Sequence, residues 1–127
     1  MTATYSKTEV YQNFIRDSTL DLNEINCQLS VWKHDTIGSK IIHVKNDDPE
    51  NVFCLSFQTF PYNDNGVAHI LEHITLCASK PYPVRDPFFS MLRRSLNTFM
   101  NAFTGSDFTC YTAASQLDKD FYLYNLK

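Results

Sequence analysis

The chain has 127 residues, a length that suits one domain with a hydrophobic core. Its net charge of −3 gives no polybasic surface for nucleic acid or an anionic membrane, and its apolar runs are too short to span a bilayer. We therefore expect neither nucleic acid nor membrane as a partner. The four cysteines lie far apart and form no C-x-x-C pair, so we expect reduced thiols and a cytoplasmic location.

Apolar periodicity divides the chain into strands followed by helices, which predicts an α+β fold. Residues 1–22 are polar with scattered apolar side chains and are expected to form a loose leader ahead of a domain at residues 23–127. Alternating or β-rich runs bounded by turn residues predict strands at residues 25–34, 39–45, 52–60 and 108–114. Apolar spacings of three and four predict helices at residues 66–78, 86–100 and 117–127, the second capped by Asp86.

Two histidines flank the first predicted turn. His34 and His43 could face each other across a hairpin. Because no third Cys, His or carboxylate stands near them at ligand spacing, we interpret them as surface or rim residues.

The sequence His69-Ile70-Leu71-Glu72-His73 carries the strongest chemical signal. In a helix, His69 and His73 lie one turn apart on one face, and Glu72 stands at its edge. Two neutral imidazoles so placed can bind Zn²⁺, and a carboxylate beside them can take a proton from a metal-bound water. An amphipathic helix with two surface histidines is the alternative reading of these five residues.

The neighbours of this motif support an anchored helix. Apolar residues on the other side are expected to be buried: Val67, Ile70, Leu71, Ile74, Leu76 and Cys77. Cys77 lies two turns beyond His69, about 12 Å along the axis, which is too far for one ion to bind both. We therefore interpret Cys77 as a packing residue.

Residues 66–79 resemble the active-site helix of the pitrilysin/insulinase family, whose zinc motif H-x-x-E-H inverts the order H-E-x-x-H. Residues 80–107 closely resemble the presequence protease branch of that family, and the likeness extends over residues 20–127. The resemblance implies a metalloendopeptidase with one Zn²⁺ per site that cuts unstructured peptides in a closed chamber. His69 and His73 would be zinc ligands, and Glu72 the general base. It also implies an antiparallel sheet with helices packed on one face, as part of a pitrilysin-like domain.

A second segment of the family pattern stands at Asn101-Ala102-Phe103-Thr104. In the family this segment leads to an edge strand that pairs with the substrate backbone, which implies substrate binding by Asn101, Ala102 and Phe103. Main-chain pairing explains broad sequence tolerance, because its hydrogen bonds ignore side chains. The alternative is that Asn101 only caps a turn.

The chain also departs from the family pattern. The third zinc ligand of the family is a glutamate well beyond the second histidine, whereas this chain has no glutamate after Glu72. The family closes its chamber with a second, homologous half, and the apolar pattern here stops at Leu126 without a cap. These features lead us to expect a truncated, N-terminal portion of the peptidase, with the missing half as its partner.

Three hypotheses follow. The first is a zinc metalloendopeptidase in which Glu72 activates a zinc-bound water. The second is a catalytically inactive zinc-binding fragment that lacks the third ligand. The third, an interaction module with an accidental motif, requires that no helix forms around His69. If the source is eukaryotic, the mitochondrial matrix or another organelle is the alternative location.

Overall fold

The computed structural model describes residues 9–77, 80, 83–94 and 97–116. The chain divides into two compact units, Met1–Asp48 and Pro49–Lys127. The helix predicted at residues 117–127 lies outside the described residues. Within the described ranges, no helix has the length and the hydrophobicity needed to cross a membrane.

The first unit is an antiparallel meander in the order β1-β2-β3-β4. Its strands are β1 (Val10–Tyr11), β2 (Phe14–Leu22), β3 (Cys27–His34) and β4 (Lys40–Lys45), with a 3₁₀ turn at Asn23–Ile25. The expectation of a loose leader is therefore wrong for the residues of β1 and β2. A bulge between Arg16 and Ser18 shifts the register of β2 against β3 and breaks its alternation, which hides the strand from a period-two search.

The two strand histidines of this unit do not face each other. His43 lies opposite Ser30, and the backbone N–H of His34 bonds Ser39 at the start of the return strand. The ring of His34 instead packs edge-on against Phe14, and its Nδ1 accepts the backbone N–H of Thr36. The two histidines therefore do not face each other across the hairpin, an arrangement that their positions in the sequence had left open.

The second unit combines a three-stranded antiparallel sheet with two helices, which confirms the α+β class. Its elements are β5 (Glu50–Gln58), α1 (Val67–Cys77), α2 (Pro87–Arg94), β6 (Asn97–Thr104) and β7 (Phe108–Gln116). The sheet order is β5-β7-β6, so β7 is central and β6 lies at an edge. The antiparallel strands expected in one sheet are thus divided between two sheets, because β5 pairs with β7 and not with β4.

The second predicted helix is too long. Helix α2 begins at Pro87 as expected but ends at Arg94, and the residues from Asn97 onward form β6. Asp86 precedes the helix with a φ of 60°, and its carbonyl accepts the N–H of Ser90. The segment after Asn97 is rich in Thr and Phe, which favour strands, and pairing with β7 satisfies its backbone.

The burial pattern of α1 departs from the predicted one at Glu72 and at most of the apolar positions. Glu72 is 5% exposed, whereas Val67, Ile70 and Leu71 are 65%, 57% and 58% exposed. The helix contacts β6 and β7, and the Glu72 side chain accepts a hydrogen bond from Thr104 of β6 in this contact. The prediction that the apolar residues of α1 are buried is therefore wrong for these described side chains.

Candidate active site

Helix α1 brings two imidazoles together on one face. Nε2 of His69 and Nε2 of His73 are 3.2 Å apart. The ring centroids are separated by 4.8 Å, and the ring planes are inclined by 41°. The helix predicted around these residues is thus confirmed, and so is the expectation that their side chains share a face.

This separation suits two ligands of one zinc ion. In a tetrahedral site with zinc–nitrogen distances of about 2.0–2.1 Å, two ligand nitrogens lie about 3.3–3.4 Å apart. The Nε2 atoms of His69 and His73 meet this requirement almost without movement. In the absence of metal, a hydrogen bond between one protonated and one unprotonated nitrogen fits the same distance.

The histidine pair could supply two of the three protein ligands that a catalytic zinc site needs. Across the part of the chain that the structure describes, no group of three or more His, Cys, Asp or Glu side chains could hold a metal ion. Cys77 lines the same cavity as the histidines but is exposed, so its predicted role as a packing residue is wrong.

Glu72 is held between the helix and the edge strand. Its Oε2 accepts a hydrogen bond from Oγ1 of Thr104 on β6, with a distance of 2.5 Å between the oxygens. Within the described residues, Oε1 receives no hydrogen bond. A carboxylate can accept hydrogen bonds at both oxygens, so Oε1 is available to a further donor.

The two histidines and Glu72 open into a cavity of about 420 Å³ that α1 shares with α2 and β6. Its remaining lining residues are Leu76, Cys77, Asp86, Phe88, Phe89, Asn101, Ala102, Phe103 and Thr104. The rings of Phe88 and Phe89 meet edge-to-face, with centroids 5.3 Å apart. The cavity therefore joins a polar surface, formed by the histidine pair and Glu72, to an aromatic wall.

The predicted substrate-binding residues lie in the middle of edge strand β6. Asn101 pairs with Thr112 of β7, and its backbone carbonyl accepts the Thr112 hydroxyl at 3.1 Å. Its side-chain Oδ1 accepts the backbone N–H of Ala102 at 2.9 Å. The alternative reading of Asn101 as a turn cap is wrong, because the residue lies inside a strand.

Sequence reasoning overlooked two parts of this arrangement. It did not assign Thr104 to the site, although Thr104 is the last residue of the Asn-Ala-Phe-Thr segment and threonine favours strands. It also assigned neither Phe88 nor Phe89 to the site, although both line the cavity and Phe89 is exposed. Pairing of β6 with β7, which positions Thr104 against α1, is a long-range contact that local periodicity does not reveal.

Comparison with known proteins places this arrangement among peptidases. Residues 60–124 match the family model described as Insulinase (Peptidase family M16). The chain is 51% identical over 117 residues to the mitochondrial presequence protease of Mus musculus, and 46% identical over 117 residues to that of Xenopus laevis; each alignment covers 92% of this chain and 11% of the relative. The mitochondrial presequence protease of Schizosaccharomyces pombe is 50% identical over 103 residues, which are 81% of this chain and 10% of the relative.

The curated relatives are thus much longer than this chain, which spans about a tenth of their length. The matched region includes α1, α2, β6 and β7, and with them every residue that lines the cavity beside the histidines.

Proposed function

This chain belongs to the insulinase family of peptidases (peptidase family M16), in its presequence protease branch, and on that premise we propose that it carries the zinc-ligand helix of a metalloendopeptidase acting on unstructured peptides. One observation carries the proposal: the Nε2 atoms of His69 and His73 lie 3.2 Å apart, and Glu72 neighbours them on the same helix. Residues 23–127 then form part of a pitrilysin-like peptidase domain.

His69 and His73 would hold the ion through Nε2. Bound zinc supplies a Lewis acid that polarises the scissile carbonyl and favours ionisation of water. Glu72 acts as the general base at Oε1, taking the proton of the attacking water and passing it to the leaving amine. The α1–β6 contact that covers Glu72 excludes bulk water from this carboxylate, which strengthens its electrostatic interactions.

The substrate would bind as an added strand on β6. This strand lies at the edge of its sheet, and Asn101, Ala102 and Phe103 line the cavity next to the histidines. An extended peptide paired with them would place its backbone beside Glu72. In this structure the N–H of Ala102 donates to the side chain of Asn101. With a peptide bound, it would donate to a substrate carbonyl instead.

A second candidate function is zinc binding without peptidase activity of the chain itself. It is favoured by the ligand count, since a catalytic zinc site needs three protein ligands and the described residues contain no set of three metal-binding side chains. Under this reading the partner is the remaining part of a peptidase, which would supply the ligand and the second half of the chamber.

For the location, we propose mitochondria in place of the cytoplasm. The support is the word mitochondrial in the names of the matched relatives from mouse, frog and fission yeast.

The test compares cleavage of a quenched fluorescent, unstructured peptide by four samples of the purified chain with added zinc. The unmodified chain should cleave it, a chelator should stop the reaction, and Glu72→Gln should abolish it. Glu50→Gln is the matched control, because Glu50 lies on β5 and bonds Thr98 away from the cavity. Zinc binding without turnover by the unmodified chain would reject the first function and support the second.

A further inference from the structure

The burial of Glu72 raises the question of what orients its carboxylate. A glutamate side chain has three rotatable bonds, and a general base must present one oxygen to the proton that it takes. Glu72 is 5% exposed, and Thr104 Oγ1 bonds its Oε2 at 2.5 Å. Thr104 is thus the donor that the described residues offer to this carboxylate.

We propose that Thr104 is a positioning residue that fixes the carboxylate of Glu72, so that Oε1 faces the histidine pair while Oε2 is held by the Thr104 hydroxyl. The inference rests on the proposed function of Glu72 as general base. It assigns to the last residue of β6 a task that is separate from main-chain binding of a substrate by the preceding residues.

The position of Thr104 in the sheet supports this role. Thr104 is paired with Thr109 on central strand β7, and the hydroxyl of Thr109 is bonded to that of Thr59 at 2.9 Å. Immediately after Thr104, the N–H of Gly105 bonds the carbonyl of Phe108 at 2.8 Å and closes the hairpin. The residue that donates its hydroxyl to Glu72 is therefore fixed at a hairpin end, by its pairing with Thr109 and by the hydrogen bond of Gly105.

The chain contains a matched pair for comparison. Thr98, at the other end of β6, donates its hydroxyl to the carboxylate of Glu50. The substitutions Thr104→Val and Thr98→Val remove the same group from the same strand, and each leaves a glutamate without that donor. Because Thr98 lies outside the cavity that contains the histidines, only the first substitution should disturb the proposed site.

The first measurement is the carboxyl carbon NMR spectrum of the chain labelled with ¹³C at glutamate. The chain has four glutamates, Glu9, Glu24, Glu50 and Glu72, and the Glu72 signal is assigned by its loss in Glu72→Gln. We expect Thr104→Val to move the Glu72 signal alone, and Thr98→Val to move the Glu50 signal alone. In Thr104→Ser the Glu72 signal should stay at its position in the unmodified chain, since serine keeps the hydroxyl.

The second measurement is peptide cleavage together with zinc affinity. Thr104→Val should lower kcat by at least about tenfold with KM unchanged, since a misplaced base affects the transition state and not substrate binding. Zinc affinity should be unchanged, because Thr104 bonds neither histidine. Thr104→Ser should recover kcat, and Thr98→Val should retain it.

The inference is overturned if Thr104→Val leaves the Glu72 signal in place, if Thr104→Ser moves it, or if Thr104→Val and Thr98→Val lower kcat equally. Absence of turnover in the unmodified chain would count against the proposed function alone. The carboxyl spectrum would still decide whether Thr104 fixes Glu72.

Discussion

Replacing Gly105 with alanine should destabilise the β6–β7 hairpin through a collision with one aromatic ring. A Cβ at position 105 would lie 2.5 Å from Cε1 of Phe108, 2.8 Å from Cζ and 2.9 Å from Cδ1. Unbonded carbon atoms rest about 3.5–4.0 Å apart, so the ring must move by about 1 Å. Phe108 is 43% exposed, so the ring can swing outward at the expense of its remaining contacts. We expect a loss of about 1–3 kcal/mol in the free energy of unfolding.

Denaturant unfolding of four proteins tests this explanation: the unmodified chain, Gly105→Ala, Phe108→Ala and the double variant. In the Phe108→Ala background the obstacle is absent, so Gly105→Ala should be neutral or stabilising by up to about 1 kcal/mol. In a melting experiment each kcal/mol corresponds to about 4–8 °C for a domain of 60–100 residues. An equal penalty in both backgrounds would refute the collision.

Gly66 provides the control for this cycle. It has a φ of 67°, and no atom lies within 4 Å of a Cβ built there. Gly66→Ala should therefore cost about 1–2 kcal/mol through backbone strain alone. Because no ring is involved, that penalty should be the same with and without Phe108→Ala.

Three further predictions concern the candidate site and the thiols. Zinc at 100 times its Kd should stabilise the chain by about 2.7 kcal/mol. A thermal melt should show that His73→Ala loses this stabilisation. His43→Ala should keep it, because His43 lies on β4 and not on α1. Ala102→Pro removes the edge-strand N–H that donates to the side chain of Asn101. It should raise KM for peptides and leave the circular dichroism spectrum unchanged. An unchanged KM would contradict strand addition. Partial burial, together with the Cys110 thiol, raises the pKa of Cys54. Cys110→Ala should lower that pKa, increase the thiolate fraction at about pH 8 and speed alkylation of Cys54; an equal rate would contradict the coupling.

Local signals succeeded where one element has a strong period of its own. The period of three and four around His69 and His73 predicts α1, and the structure confirms it with bounds of Val67–Cys77. Alternation and turn residues likewise predict β3, β4, β5 and β7 to within a few residues. These elements are recognisable because the spacing of their side chains depends on the backbone geometry of each segment alone.

The same local reasoning failed at β2 and β6. A bulge interrupts the alternation of β2, and the start of β6 continues the apolar spacing of the helix before it. Asn97 to Thr104 become a strand because β7 offers them a ladder of backbone partners. That pairing is a property of two distant segments together, so a search along either segment does not detect it.

The sequence by itself determined the candidate site residues and the family: two histidines one helical turn apart, a glutamate beside the second, and a likeness to a peptidase family that the comparisons confirm. Only the tertiary structure decided which side of α1 is covered. Helix α1 contacts the sheet through Glu72 while Val67, Ile70 and Leu71 stay exposed. The hydrogen bond from Thr104 satisfies one oxygen of this carboxylate, which lowers the desolvation cost of burying Glu72 against β6.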